Sequence, residues 1–462
     1  MKLSIVILIL WLPFAGCDSG RHRPLFVSKE NPRYFTDNTG KAVYLTGSHT
    51  WNSLVDMNPR GASDTFDFQG YLDFLKQHDH NFIRLWTWEL VNWDTHGNEQ
   101  ESPTILEVAL HPWERIGTSL AIDGKPKFDL TQFNEGYFDR LRERVIAAGE
   151  KNIYVSIMLF EGWGIQFSPA GFRNHPFYPN NNVNQLELDT ADLGRLKIHE
   201  LSNKKVLEIQ EAYVMKVIDT IHDLDNVLFE ISNENHSQST AWQYYMINLI
   251  KAYEKQKDLQ HPIGMTFQYE GGINQTLFDS PADWISPNHE GGYRDDPPAS
   301  DGKKIILTDT DHLWGLGGNH QWVWKSFLRG LQPILMDPYQ DEVLNSGYDM
   351  KALSEEIEFI RKNMGYTNRF AEKMDLIHMQ PRNELSSSNY CLAQENNEYL
   401  FYLPAGKQLE ADLTNAPSTF VAEWFDPLTG KQVEGGFIEG GKKVEFKVPF
   451  QSEEAVLYLR KK

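Results

Sequence analysis

Three acids and an amide, placed where apolar runs stop, are the residues of this chain best suited to chemistry. "VLFEISNEN" (227–235) has the composition of a buried strand and then presents Asn233 and Glu234; "IILTDTDHLW" (305–314) ends the same way in Asp309 and Asp311. A carboxylic acid that donates a proton, facing a carboxylate that attacks or activates a water, is the minimal apparatus for general acid–base cleavage of an acetal such as a glycosidic bond. Each residue also has a structural role open to it. Glu234 could be an acid favoured at a helix start, Asp309 and Asp311 could cap the loop that follows, and Glu230, an even step before Glu234, suits a buried partner for a cation.

Such residues need a frame that brings distant strand ends together. Short apolar, β-branched or aromatic runs recur at "AVYLTGSHTW", "NFIRLWTWE", "IYVSIMLFE", "VLFEISNEN", "PIGMTFQYE", "WISPNHE", "IILTDTDHLW" and "QPILMDPY". Helical periodicity fits between several of them, over 66–78, 133–150, 202–224, 239–257 and 320–330, and again after the last, over 350–373. In 202–224, Val206, Ile209, Tyr213, Val217 and Ile221 form one stripe, with Ser202 as the expected N-cap. In the connection at 274–280 the helix is short or absent. Eight strand–helix repeats predict an α/β chain with a (β/α)8 barrel. Past residue 380 the pattern changes to short runs with period two, separated by "PAGK", "PLTG" and "EGGK" turns, which predicts a small antiparallel β-sandwich. The expected organisation is a signal segment over 1–17, a linker over 18–28, the barrel over 29–380 and the sandwich over 385–462. "RYFTDNTGKAVY" reads as a β-hairpin leading into the first barrel strand.

A barrel of this kind carries its site at the C-terminal ends of the strands. In order these ends present His49 and Trp51; Arg84, Trp86, Trp88 and Glu89; Glu161 and Trp163; Asn233, Glu234, Asn235 and His236; Gln268, Tyr269 and Glu270; Asn288, His289 and Glu290; Asp309, Asp311, His312 and Trp314; and Asp337 and Tyr339. Acids, amides, imidazoles and indoles at one mouth suit a sugar, whose hydroxyls need hydrogen bonds and whose CH faces stack on indoles. Glu270 and Glu290 are rivals for the second carboxylate. The histidines lack HExxH or paired-cysteine spacing, so neither a metal nor another cofactor is expected.

The bulk composition agrees. Hydrophobic residues make up 40% of 462, charged residues 23% and aromatics 13%, and the formal net charge of -20 disfavours a nucleic-acid partner. "MKLSIVILILWLPFAGC" has a lysine, an apolar run and small residues before Cys17, the form of a secretory signal. Its "FAGC" ending resembles a bacterial lipoprotein signal, which implies lipidation of Cys17, a place at the cell envelope or surface, and membrane contact through that anchor alone. Cys391, the only other thiol, sits in the strand-like "NYCLAQ" and is expected to fill core, with no disulfide framework.

"FEISNE" on the fourth strand resembles the Asn-Glu signature of clan A, the cellulase-like glycoside hydrolases. The resemblance implies Glu234 as general acid/base, Asn233 in a hydrogen bond with the sugar hydroxyl beside the anomeric carbon, and a polysaccharide or oligosaccharide as substrate. "NFIRLW" resembles that clan's arginine strand and puts Arg84 beside the strand-seven carboxylate. "RYFTDNTGKAVYLTGSHTW" and "WFDPLTGK" resemble bacterial lipoproteins of the collagen-binding or glycoside-hydrolase-like type, with a barrel and a C-terminal sandwich. The departure is at strand seven, where "LTD" aligns Asp309, with Asp311 two residues on, at a position that holds glutamate in the clan. Aspartate is shorter. A wider gap between the acids would admit a water and favour inversion, while the clan's own outcome is retention, and both Asp309 and Asp311 are candidates. The implied substrate-binding set is Arg84, Asn233, His49, Trp51, Trp88, Glu270, His289, Glu290, His312, Trp314 and Asp337. A non-catalytic carbohydrate- or matrix-binding surface lipoprotein on the same barrel is the alternative reading.

Overall fold

The computed structural model describes residues 23–37, 39–94, 105–168, 170–190, 194–339 and 350–462. The signal segment with Cys17, and residues 18–22 of the linker, lie outside the described residues.

Eight parallel strands form the barrel: β1 Gly47–His49, β2 Phe82–Leu85, β3 Tyr154–Glu161, β4 Val227–Asn233, β5 Ile263–Thr266, β6 Trp284–Ser286, β7 Ile305–Asp309 and β8 Gln332–Met336. Their order is β1-β8-β7-β6-β5-β4-β3-β2, so β2 to β8 each pair with a sequence neighbour, β1 pairs with β8, and only the seam between β1 and β2 lacks a ladder. Asn81 closes that seam, its backbone N–H donating to the Thr46 carbonyl at 3.0 Å and its side-chain oxygen accepting from the Thr46 N–H at 2.9 Å. Gly47 is needed at the same seam, because a Cβ there would stand 2.0 Å from the Phe82 carbonyl oxygen.

Helices cover the outside where their period predicts them: α1 Phe68–Gln77, α2 Glu135–Glu150, α3 Lys204–Ile221, α4 Thr240–Glu254, the short α5 Asn274–Asp279, α6 His320–Leu328 and α7 Met350–Lys373. The cap of α3 is Asn203 and not Ser202. The Asn203 side chain accepts from the Val206 N–H at 3.1 Å, the geometry of an N-cap residue, while the Ser202 hydroxyl turns to Glu200.

Along the barrel axis the interior changes character. Leu45, Phe82, Leu228, Trp284, Ile305, Leu307 and Ile334 fill the lower end as one buried cluster. Two residues further up their strands, side chains with the same inward orientation are Arg84, Glu230 and Asp309. Off the barrel the chain builds further strands, one between β1 and α1 and the others between β2 and α2. Asp56–Pro59, Ile105–Ala109 and Asn92–Asp94 make a three-stranded sheet, and Trp113–Leu120 with Pro126–Phe133 make a hairpin.

The C-terminal domain is a β-sandwich. Its larger sheet runs Gln380–Pro381, Cys391–Gln394, Glu398–Leu403, Ala455–Lys461, Thr419–Phe425 and Gln432–Glu439 in spatial order, and Gln408–Asp412 pairs with Lys443–Lys447 in the smaller one. Cys391 is fully buried between them with Phe401, Leu409, Phe420 and Leu457. The other face of the larger sheet packs on the barrel helices. Trp324 of α6 lies at the centre of that contact, stacked on Tyr402 with 6.0 Å between ring centroids and bordered by Phe370 and Phe425, with its indole N–H on Asn363 at 2.7 Å. Replacing Trp324 by Ala should therefore destabilise the whole chain by about 3–5 kcal/mol, read as a lower guanidinium midpoint with the slope unchanged.

Candidate active site

At the top of the barrel a buried guanidinium organises the strand ends. Arg84 donates from Nε to Glu230 Oε2 at 2.8 Å, from Nη2 to Glu230 Oε1 at 2.5 Å and to Asn233 Oδ1 at 2.7 Å, and from Nη1 to Asp309 Oδ2 at 2.8 Å. Glu230 is thus the buried partner of a cation, as its place on the strand suggests. His49 completes the cluster. The Trp86 indole N–H donates to its Nδ1 at 2.8 Å, so the ring's one hydrogen sits on Nε2 and is donated to Asp309 Oδ2 at 2.8 Å. Burial lowers the His49 pKa, in keeping with a neutral ring.

These contacts consume Asp309. Its remaining oxygen accepts the Asp311 backbone N–H at 2.9 Å and so caps the short helix Thr310–Leu313. Burial alone would raise its carboxyl, but His49 and the Arg84 guanidinium outweigh burial and hold it well below the usual carboxylate range. Asp309 has no solvent exposure and does not reach the cleft.

Asp311 is turned the other way. It lines the cleft, its Oδ2 has no hydrogen-bond partner among the described residues, and Arg84 Nη1 and His312 Nε2 stand 3.5 and 3.7 Å from it. Burial, then the charge on Asp309, push its carboxyl up to about 7 against the pull of Arg84.

Glu234 follows β4 with φ of 43°, a left-handed conformation uncommon for glutamate. The turn is held from β3: the Gly162 N–H donates to the Asn233 carbonyl at 2.9 Å, and Gln166 Nε2 donates to the Glu234 carbonyl at 3.0 Å. Only glycine fits at 162, since a Cβ would come within 2.4 Å of the Asn235 Cα. Burial raises the Glu234 carboxyl well above its ordinary range, and Asp311 and then Glu161 add to the rise. Both cleft carboxyls are thus raised, Glu234 in part by the charge on Asp311. Glu161 itself rises to about 8, because burial outweighs the Gly164 and Trp163 N–H groups that it accepts at 2.6 and 2.8 Å.

Asn233 is fixed in one orientation. Its Oδ1 accepts from Arg84 and from His312 Nε2 at 3.1 Å, so the amide nitrogen is left to face the cleft as a donor. His312 accepts the Ser286 hydroxyl on Nδ1 at 2.7 Å, and burial lowers it to about 3, so it is a neutral imidazole.

The cleft has a volume of about 1090 Å³. Of the residues the sequence points to, Glu234, Asp311, Asn233, Trp51, Trp88, Glu270, His289, Glu290, His312 and Trp314 line it. Four do not. Arg84, His49 and Asp309 lie beneath it, locked in the ion cluster, and Asp337 is drawn aside by Arg361 of α7, whose Nε donates to it at 2.8 Å. Trp93, Phe167 and Arg294 also line the cleft and escape sequence reading because each stands outside the strand-end positions, and Phe267 lines it from the end of β5, where sequence does not tell a phenyl ring of the cleft from one of the core. Trp93 bridges two indoles that strand position does reveal, with ring centroids 4.7 Å from Trp88 and 6.4 Å from Trp163. No group of three or more metal-ligating side chains occurs among the described residues.

Residues 107–270 match the family model described as a domain of unknown function (DUF6298), and residues 376–459 match the model described as "Putative collagen-binding domain of a collagenase". No curated protein matches the chain. Among solved structures, a glycoside hydrolase family 5 protein from Bacteroides vulgatus is similar over 95% of this chain and 93% of its own, at 14% identity and a TM-score of 0.64. A second, described as a glycoside hydrolase, is similar over 95% of this chain and 97% of its own, at 14% identity and a TM-score of 0.63. The chain therefore has the glycoside hydrolase fold of these neighbours, a TIM barrel followed by a β-sandwich.

The ion cluster makes a stability prediction with a definite sign. Removing one partner, in Asp309→Ala, should destabilise the chain by about 3–5 kcal/mol at neutral pH, because Arg84 Nη1, His49 Nε2 and the Asp311 N–H all lose their buried acceptor while Glu230 still balances the guanidinium charge. The Asp309 carboxyl is depressed in the folded chain, so its contribution is full above the unfolded value of about 3.9 and is lost as pH falls below it. Denaturation curves should accordingly show the wild type and the variant converging in acid.

Proposed function

We propose that the protein is a glycoside hydrolase acting on a polysaccharide or oligosaccharide, with Glu234 as general acid/base and Asp311 as the second carboxylate. The carrying observation is that these two acids line the same cleft with both carboxyls raised, Asp311 adding to the rise of Glu234, while Asp309 is spent on the cluster below. Glu234 enters the reaction protonated and gives its proton to the leaving oxygen. Asp311, the acid nearer Arg84, carries the negative charge and acts as nucleophile or as base for a water, according to the gap that the sugar ring leaves. The Asn233 amide N–H donates to a sugar hydroxyl, and the partly exposed indoles of Trp51, Trp163 and Trp314 offer faces to its CH groups. The fold shared with glycoside hydrolases supports the reading. The N-terminal "FAGC" supports export and lipid anchoring at Cys17, a further proposal.

Glu234→Gln and Asp311→Asn should each lower turnover by about 10²–10⁴-fold without unfolding the chain. In the wild type, kcat/KM on a cleaved aryl glycoside should rise with pH through about 7 as Asp311 ionises, then fall as Glu234 loses its proton. Full activity in Glu234→Gln sinks the assignment, and the anomer first released, seen by NMR, decides between retention and inversion. Glycan binding by a wild type that releases no product would favour the non-catalytic reading. For the anchor, Cys17→Ser should move the protein from the detergent-extracted membrane to the soluble fraction of the expressing bacterium; an unchanged distribution rejects lipidation.

A further inference from the structure

The charges along the cleft bear on which glycans it admits. Among the described residues that line it, Glu234, Glu270, Glu290 and Asp311 are acids, and the only lysine or arginine is Arg294. Arg294 lies in the loop after β6, and its Nε is 3.3 Å from Asp295. Arg84, the other cation close by, is 1% exposed, with its donors directed to Glu230, Asp309 and Asn233. Glu270 and Glu290 are exposed, following β5 and β6, while Trp88, Trp93 and Trp163 form a continuous indole wall after β2 and β3.

A uronate or sulfate group entering such a cleft loses hydration and needs a replacement partner, most effectively a free arginine fork or a lysine. Here it would meet four carboxylates against one arginine, Arg294, whose Nε already faces Asp295. An uncharged pyranose needs only what the cleft supplies, indole faces for its CH groups, the Asn233 amide as a donor and the cleft carboxylates as acceptors for its hydroxyls. The formal net charge of -20 adds repulsion toward polyanions before contact. Resting on the glycan-cleaving reading above, we propose that the substrate is an uncharged glycan, and that Glu270 and Glu290 are specificity residues that exclude uronate- and sulfate-bearing chains.

Calorimetry on the full chain carrying Glu234→Gln tests this, with cello-, manno- and xylo-oligosaccharides set against galacturonate and mannuronate oligosaccharides of equal length. At about pH 8 exposed imidazoles are neutral and do not mask the effect. At least one uncharged series should bind about tenfold or more tighter than either uronate series, with the preference eroded in a Glu270→Gln/Glu290→Gln background and eroded further in Glu270→Lys/Glu290→Lys. Uronates bound as tightly as uncharged sugars, a preference unmoved by the double variants, or binding of neither set would each overturn the proposal. The two readings fail separately. Selective binding by a wild type that releases no product removes the hydrolase and keeps the selectivity, whereas release of product from uronate chains does the reverse.

Discussion

One buried guanidinium, Arg84, balanced against two buried carboxylates, is the constraint on which the top of the barrel depends. Glu230 and Asp309 are both fully buried and both bonded to it, so the cluster holds one positive and two negative charges. The surplus negative charge acts on whatever acid stands above. Asp311 is raised by Asp309 and Glu230 and lowered by Arg84, and Glu234 is raised by Asp311 in turn. Burying ions in this way adds little to net stability by itself. Its effect is electrostatic, separating strand-end acids of one chemical type into an anchor that stays ionised and two cleft acids whose carboxyls are raised.

Geometry reinforces the separation. The same guanidinium fixes the Asn233 amide, His49 is held as a neutral donor by Trp86, and Gly162 lets the β3 exit approach the β4 exit closely enough to clamp the turn at Glu234. Asp309 supports Asp311 twice, by capping the helix that carries it and by raising its pKa. The sandwich stays outside this chemistry. Its larger sheet buries Tyr402 and Phe425 against Trp324 on α6 and Phe370 on α7, on the helical layer outside the strands.

Much of this was legible in the sequence, for reasons that particular elements make plain. The eight strands and their helices carry strong periodic signals, and α7 ends where its pattern ends, at Lys373. The strand-end rule then locates Glu234, Asn233 and most of the cleft. Sequence could not separate Asp309 from Asp311, because they lie two residues apart and the choice is made by Arg84 and His49, on strands far away in the chain. Asp337 was out of reach for the same reason, since its partner Arg361 comes from the last helix. The strands of 92–133 pair with one another and with Asp56–Pro59, off the barrel, where the strand–helix repeat gives no guidance. Asn203 and Ser202 are adjacent residues of equal capping ability, and only side-chain direction distinguishes them.

The central claim is that Arg84 divides the acids, leaving Asp309 ionised and the carboxyls of Glu234 and Asp311 raised, so that they hold protons near neutrality. Infrared difference spectroscopy of the carboxylic acid C=O band, recorded across neutral pH on wild type, Glu234→Gln, Asp311→Asn and Asp309→Asn, observes those protons directly. The account predicts a protonated-carboxyl signal in the wild type that is lost in part as pH rises through about 7, and that is altered in Glu234→Gln and in Asp311→Asn. In the Asp309→Asn spectrum no band should disappear that can be assigned to a protonated Asp309. A titrating band removed by Asp309→Asn and untouched by the other two substitutions would contradict it.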